Sequence, residues 1–157
     1  YLGHFFENQK IVDFEKIYRQ KKIPLLEKQI QYIFTANIDE LKWLALNGGN
    51  FSLTKEKFNK AGQFDENFGI NWGCEDYELG YRLHQNKSSF VYSFSAANYH
   101  ISHYRFNYIK NLKQSIDFFY SIHRSKLIKN LFILLDGEIK NPHRYLKYLD
   151  KYTNREL

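Results

Sequence analysis

The apolar residues of this chain come in short runs, and this limits the folds that are open to it. Hydrophobic residues make up 43% of the 157 residues, yet the longest apolar run, around Leu131–Leu135, falls far below the ~20 residues that span a bilayer. This apolar content excludes disordered and collagen-like chains. Cys74 is the only cysteine, which excludes a disulfide scaffold and fits a reducing compartment. We therefore expect one domain with a buried core.

Charge and composition narrow the possible partners only in part. The chain carries 23 Lys and Arg against 17 Asp and Glu, a formal net charge of +6, and aromatic residues reach 18%. A basic balance suits nucleic acid, an anionic lipid surface or a phosphorylated substrate, and charge alone does not choose among them. Because the chain starts at Tyr1 and has no methionine, we expect it to be a segment of a longer protein.

Hydrophobic spacing and capping residues predict a mixture of helices and strands. Asn37 with Glu40 resembles a capping box, and Thr54 can cap a short helix. Helices are predicted at residues 8–21, from 37 to the Gly48-Gly49 pair, at 55–61 and 75–85, and from about 104 to 129. Strands are predicted at residues 1–6, 31–36, 89–94 and 99–103. A loop covers residues 63–74, and the polar, aromatic tail 140–157 is expected to be peripheral.

The densest group of chemically useful side chains is the sequence NWGCED at residues 71–76. Glu75 and Asp76 follow a glycine-containing loop and open a predicted helix, whose positive dipole end favours ionised carboxylates. A fixed carboxylate of this kind is what a general base requires, and Trp72 offers a flat face for a sugar ring. An isolated Glu-Asp pair also fits a plain helix start, and a lone tryptophan fits a core position.

Two histidines stand three residues apart in the sequence YHISH at residues 99–103. His100 and His103 can converge on one cation if the segment turns, whereas in a flat strand they face opposite sides. The other histidines are isolated and are expected to be surface or helix residues. These are His4, His84, His123 and His143.

Two further features allow either a functional or a plain structural interpretation. The sequence Gly48-Gly49-Asn50 can let the backbone approach a ligand closely, or it can end a helix. The basic run after Tyr104 can contact phosphate, lipid or protein, or it can form an ordinary solvated helix face.

The order of these motifs resembles the C-terminal, acceptor-side half of GT-A glycosyltransferases. The likeness is to bacterial family-2 enzymes whose C-terminal part is similar to the β-1,4-galactosyltransferases. It covers residues 48–105 and rests on GGN, then W-G-x-E-D followed by E-L-x-x-R-L, then Y-H-x-x-H. The resemblance implies an α/β fold, with a mixed sheet flanked by helices. It also implies inverting transfer from a nucleotide-diphosphate sugar, with a UDP-sugar foremost, to a carbohydrate or glycolipid acceptor.

By this resemblance each motif receives a role. Asp76 is the base that takes the acceptor proton, Glu75 orients the acceptor or braces the loop, and Trp72 with Gly73 contacts the acceptor. His103 and His100 are the ligands of a divalent cation, Mn²⁺ or alternatively Mg²⁺. The remaining expected contacts are to the donor sugar, from Gly48, Gly49 and Asn50.

The resemblance also implies a division of the chain. Residues 1–47 form a connecting strand and helices, 48–105 carry the catalytic and metal motifs, and 106–157 form a basic helical tail. The D-x-D triplet of such enzymes, which belongs to the nucleotide-binding half, is absent. We therefore expect that half to be missing from this chain, and the isolated segment to be inactive.

Two other function classes compete with a transferase. A non-catalytic sugar-binding or interaction module would keep the acceptor cleft without turnover. A nucleic-acid-binding domain is disfavoured because no recognised nucleic-acid motif occurs. For the transferase we expect a cytoplasmic location at the inner face of the membrane, where the basic tail contacts anionic lipid during polysaccharide or glycoconjugate synthesis.

Overall fold

The computed structural model describes residues 24–70, 73–96, 98 and 106–153, and every regular element among them is helical. Seven α-helices are α1 Leu25–Thr35, α2 Lys55–Lys60, α3 Glu75–Gln85, α4 Tyr108–His123, α5 Lys126–Lys129, α6 Leu131–Leu135 and α7 Pro142–Thr153. Two 3-10 helices cover Asp39–Ala45 and Glu66–Ile70. No strand occurs in the described residues, so the expected mixed α/β sheet is wrong. The strands predicted at 1–6 and 99–103 and the helix predicted at 8–21 lie outside these ranges.

The predicted strand at residues 31–36 belongs instead to α1. Ile30 and Ile33 are buried and Leu26 is partly buried against the same core, and this spacing of three and four residues is helical. A six-residue window rich in aromatic and β-branched residues imitates a strand because it is too short to show that period.

The predicted strand at residues 89–94 has no regular secondary structure, and it joins no sheet in the part of the chain that the structure describes. It contacts α1 through side chains. The Tyr92 hydroxyl donates to Glu27, and the Tyr92 ring lies 5.5 Å from that of Phe34. Val91 is 88% exposed and Phe94 64% exposed, whereas Phe90 and Tyr92 are partly buried, so one side of this segment packs on the protein although no sheet forms.

Two of the remaining helices are as predicted, and the helix predicted from about 104 to 129 is divided into α4 and α5. Thr54 Oγ1 accepts a hydrogen bond from the Lys57 backbone nitrogen at 3.3 Å and so caps α2. α3 begins and ends where its spacing predicts. The helix predicted from Asn37 is a 3-10 helix that begins at Asp39 without a side-chain cap, because the Asn37 carboxamide accepts from Lys42 Nζ at 2.6 Å instead.

The core lies where α3 and α4 pack on the first 3-10 helix. Trp43 is fully buried, with its ring edge-to-face against Tyr81 at 5.3 Å and Phe119 at 5.9 Å. Helix α7 also joins this core, because Tyr145 and Leu149 are buried in it. The expectation of a peripheral tail at residues 140–157 is therefore wrong for the described part of α7, whose amphipathic spacing needs a partner surface.

A close approach between backbones places α3. A Cβ atom added to Gly80 would lie 2.5 Å from the Trp43 carbonyl oxygen and 3.0 Å from Leu46 Cβ. Only glycine permits this separation, and it brings the start of α3 beside the turn that follows the 3-10 helix. Among the described helices, none is long and apolar enough to cross a membrane.

Candidate active site

The site is built around the first turn of α3. Two residues with positive φ, Gly73 at 103° and Cys74 at 72°, turn the chain into the helix. Cys74 is buried, and burial raises the pKa of its thiol well above the ordinary value, with smaller contributions from Asp76 and Glu75. The thiol therefore stays protonated and is unsuited to act as a nucleophile.

Asp76 is held by two backbone donors. Its Oδ2 accepts from the Gly48 nitrogen at 2.7 Å, and its Oδ1 accepts from the Tyr77 nitrogen at 2.8 Å. These bonds orient the carboxylate, while each oxygen keeps a lone pair for another partner. Asp76 therefore has the fixed geometry and the spare acceptor capacity of a general base.

The pKa of Asp76 is raised from its ordinary value. Burial is the largest cause, and the charge of Glu75 acts in the same direction. The hydrogen bonds from Gly48 and Tyr77 oppose the rise because they stabilise the ionised form. A carboxylate with a raised pKa has a stronger affinity for a proton than an ordinary aspartate, which favours proton transfer to it.

The GGN sequence forms a turn, which we name the GGN turn (residues 47–50). The Asn50 nitrogen donates to the Asn47 carbonyl at 2.9 Å, and the Gly49 nitrogen donates to the Asn47 side chain at 3.3 Å. The preceding 3-10 helix ends at Ala45, and neither Gly48 nor Gly49 has a positive φ. The turn is therefore not the helix C-cap that glycines also favour.

Glycine at position 48 permits the contact with Asp76. A Cβ atom added there would lie 3.3 Å from Asp76 Oδ2, whereas one added to Gly49 would meet only the Asn47 side chain at 3.7 Å. The far side of the turn is held by Ala96 and Asn98. Asn50 Nδ2 donates to the Ala96 carbonyl at 2.8 Å, and Asn98 Nδ2 donates to the Gly49 carbonyl.

The fold thus brings several predicted site residues together and leaves others undescribed. The GGN turn contacts Asp76 as well as Ala96 and Asn98, and Glu75 adjoins Asp76 at the start of α3. Trp72, His100 and His103 lie outside the described residues. Within the described part of the chain, no three His, Cys, Asp or Glu side chains form a group that could hold a metal ion.

Comparison with known proteins assigns the chain to a family. A family model described as the N-terminal domain of galactosyltransferase matches residues 34–113, a little over half of the chain. The chain belongs to this galactosyltransferase family. The match contains every residue that we singled out for the site, and it confirms a glycosyltransferase lineage.

Two chondroitin synthases are similar to short stretches of this galactosyltransferase-family chain. The protein of Pasteurella multocida is 57% identical over 35 residues, which are 22% of this chain and 4% of the synthase. The protein of Escherichia coli is 43% identical over 54 residues, which are 34% of this chain and 8% of the synthase. The matched stretches are thus less than a tenth of either relative's length. No solved structure matched the chain significantly.

Sequence reasoning missed a buried ionic cluster behind the site of this galactosyltransferase-family chain. Glu78 is 2% exposed. It pairs with Arg82 at 2.7 Å and with His123 Nε2 at 2.8 Å. His123 lies on a helix as predicted, but it is not isolated. The four-residue spacing of Glu78 and Arg82 predicts their pairing. No local pattern predicts the contact of Glu78 with His123, which is 45 residues away.

The loop at residues 63–74 is anchored in its middle. Phe68, on the second 3-10 helix, is buried, and its ring lies 4.8 Å from that of Phe118 on α4. Asp65 Oδ1 accepts from the Asn67 backbone nitrogen at 2.9 Å and shapes the turn before it. These contacts fix the described part of the loop against α4.

Proposed function

We propose that this chain forms the acceptor-side catalytic part of an inverting, metal-dependent glycosyltransferase. The donor would be a nucleotide-diphosphate sugar, a UDP-sugar foremost, and the acceptor a carbohydrate or glycolipid. The observation that carries the proposal is the contact between Asp76 and Gly48, which joins two of the motifs on which the resemblance rests. Membership of the galactosyltransferase family supports the same chemistry.

In the proposed reaction Asp76 acts as general base. The acceptor hydroxyl oxygen attacks the anomeric carbon from the face opposite the diphosphate and forms the new C–O bond. The bond between that carbon and the diphosphate oxygen breaks, and the hydroxyl proton passes to Asp76. The configuration inverts because attack and departure lie on opposite faces. The raised pKa of Asp76 helps it to accept the proton.

The neighbouring residues would bind and orient the two substrates. Glu75, partly exposed beside Asp76, would accept a hydrogen bond from a second acceptor hydroxyl. Trp72 and Gly73 would contact the acceptor ring. The backbone of the GGN turn would lie along the donor sugar, where a Cβ atom added to Gly49 would meet only the Asn47 side chain.

His103 and His100 would hold the divalent cation, Mn²⁺ with Mg²⁺ as the second candidate. Imidazole suits transition-metal ions. The segment at 96–98, which the GGN turn binds, leads directly into the sequence that carries both histidines. When bound, the cation would offset the negative charge of the departing diphosphate.

The relatives suggest the class of product. Both are named chondroitin synthases, so we propose a growing polysaccharide as the acceptor, in surface polysaccharide or glycoconjugate synthesis. A cytoplasmic location at the inner face of the membrane follows from this proposal.

The basic helices would contact that membrane. Lys110, Lys113 and Lys126 are exposed on α4 and α5, where Lys126 also pairs with Asp150, and Ile109 and Ile122 are exposed on α4. Cationic and apolar side chains together favour an anionic lipid surface. In flotation with anionic vesicles, reversing these three charges should reduce binding strongly. Reversing three exposed lysines of α2, Lys55, Lys57 and Lys60, is the matched control, and equal binding by both variants would end the membrane proposal.

The transfer proposal is tested on the full-length gene product with a panel of sugar nucleotides and polysaccharide acceptors. We expect acceptor-stimulated release of the nucleoside diphosphate, and a product whose anomeric configuration by NMR is opposite to that of the donor. Sugar binding without turnover would favour the non-catalytic module, and retention of configuration would refute the proposed mechanism.

A further inference from the structure

The buried cluster of Glu78, Arg82 and His123 connects α3 with the start of the loop at residues 63–74. Glu78 on α3 receives a forked contact from Arg82, whose Nε lies 2.8 Å and 2.9 Å from the two carboxylate oxygens. His123 Nε2 approaches the first oxygen at 2.8 Å, and its ring packs on Tyr81 and Phe119. A buried carboxylate needs such partners, because an unpaired charge is costly to bury.

Arg82 uses its remaining donors on a different element. Its two terminal nitrogens donate to the carbonyl oxygens of Ala61 and Gln63. These carbonyls flank Gly62, and the chain has positive φ at both Gly62, 88°, and Gln63, 62°. The Arg82 guanidinium supplies hydrogen-bond donors to these two carbonyl oxygens of the turn. A Cβ atom added to Gly62 would lie 3.1 Å from Arg82 Nη1, so the turn fits closely against this side chain.

This turn is where the loop at residues 63–74 begins, and α3 is where it ends. One side chain of α3 therefore fixes the start of the loop relative to the helix that carries Glu75 and Asp76. We propose that Arg82, oriented by Glu78, is a positioning residue for acceptor binding, because it holds the start of the loop at Ala61 and Gln63 against the helix that carries Asp76. This inference rests on the proposed transferase function.

The chemistry of arginine explains why this position needs it. A guanidinium presents five donors in a planar fork, so it can hold a carboxylate and two carbonyls together. A lysine keeps the charge but has three donors on one nitrogen, and it cannot span these three acceptors. Arg82→Lys should therefore retain the ion pair with Glu78 and release the turn at Ala61 and Gln63.

The matched control removes the other partner of the same carboxylate. His123→Gln disturbs Glu78 from the side of α4 and leaves the contacts of Arg82 with the loop in place. Both variants should lower Tm, since each weakens one buried cluster. Only Arg82→Lys, which releases the loop, should change the ratio of transfer to the acceptor over hydrolysis of the donor by water.

The test compares these two reactions in the full-length gene product. Nucleoside-diphosphate release is measured with and without acceptor, and hydrogen exchange is followed at residues 62–70. For Arg82→Lys we expect a roughly ten- to hundredfold fall in the ratio of transfer to hydrolysis, a raised acceptor KM, an unchanged donor KM, and faster exchange in the loop. For His123→Gln we expect the wild-type ratio and wild-type exchange in that segment.

The outcomes separate the positioning role from the proposed function. Active wild-type protein with an equal ratio in both variants would overturn the positioning role and leave the transferase intact. Wild-type protein without donor turnover would refute the proposed transferase function. Hydrogen exchange would then test whether Arg82 holds the start of the loop. Unchanged exchange at residues 62–70 in Arg82→Lys would overturn this positioning role as well.

Discussion

The Asp76 carboxylate lies 2.7 Å from the backbone nitrogen of Gly48, a residue 28 positions earlier in the chain. The contact holds the candidate base against the turn that we assign to the donor sugar. Its geometry depends on the missing side chain at position 48 and on the packing of α3 against the first 3-10 helix. Each dependence can be tested separately.

The two glycines of the GGN turn should respond differently to alanine. In Gly48→Ala the new Cβ lies 3.3 Å from Asp76 Oδ2, so the carboxylate has to shift, and we expect kcat to fall roughly tenfold or more. In Gly49→Ala the new Cβ meets only the Asn47 side chain, so we expect unchanged Tm and a raised donor KM. Steady-state kinetics and thermal unfolding check both variants. A Gly49→Ala enzyme with wild-type donor KM would remove this residue from the donor site.

The pH dependence should report the ionisation of Asp76. A general base must be ionised, so kcat/KM should fall as the pH drops through the pKa of Asp76. That acid limb should lie above the ordinary aspartate value of 3.8, because burial and Glu75 raise this pKa. Glu75→Gln removes the neighbouring negative charge, lowers the pKa of Asp76, and should move the limb to lower pH.

The control for this shift is Glu56→Gln, an exposed carboxylate on α2. Its normalised profile of kcat/KM against pH should match the wild type. A limb that stays in place or moves upward in Glu75→Gln would contradict the assignment of Asp76 as the titrating base.

Gly80→Ala should destabilise the fold by about 1–3 kcal/mol, the usual range for overpacking a filled interior. Its Cβ would lie 2.5 Å from the Trp43 carbonyl oxygen, which is backbone and cannot easily move. Gly69→Ala is the matched control because its Cβ would have no neighbour within 4 Å. Denaturant unfolding measures both. An equal free energy of unfolding for the two variants would show that α3 does not depend on this approach.

Removal of the divalent cation should abolish transfer. Dialysis against a chelator should stop nucleoside-diphosphate release, and Mn²⁺ should restore it. His103→Ala should raise the Mn²⁺ concentration needed for half-maximal rate roughly tenfold or more, whereas His84→Ala, on α3, should not change it. Full activity in chelator would refute metal dependence, and a wild-type Mn²⁺ requirement in His103→Ala would refute that ligand.

The parts of the fold that sequence predicts well are those fixed by local signals. Helix α2 follows from the cap at Thr54, and α3 follows from its own apolar spacing. The prediction of a mixed sheet is wrong because it rests on the resemblance and on short apolar windows such as 31–36. In that window the burial of Ile30 and Ile33 follows a helical spacing. The burial of Tyr145 and Leu149 also escapes prediction, since their partner surface lies on other helices.

The candidate site follows the same division. The motif that contains Asp76 can be recognised from sequence, because its residues are adjacent and precede a helix. The contact of Asp76 with Gly48 and the pairing of Glu78 with His123 cannot be predicted locally, because tertiary packing brings these residues together. The resemblance assigns Gly48 to the donor and Asp76 to the acceptor without predicting their contact, and it says nothing of the pairing of Glu78 with His123.

The measurement with the greatest bearing on this proposal is acceptor-stimulated nucleoside-diphosphate release by the full-length wild type and its Asp76→Asn variant. Asn keeps the size of the side chain and cannot take a proton at neutral pH, so we expect a fall in kcat of roughly 10²–10⁴-fold with a folded protein that still binds donor. Asp117→Asn, an exposed aspartate of α4, should behave as wild type. Wild-type kcat in Asp76→Asn would contradict Asp76 as the base.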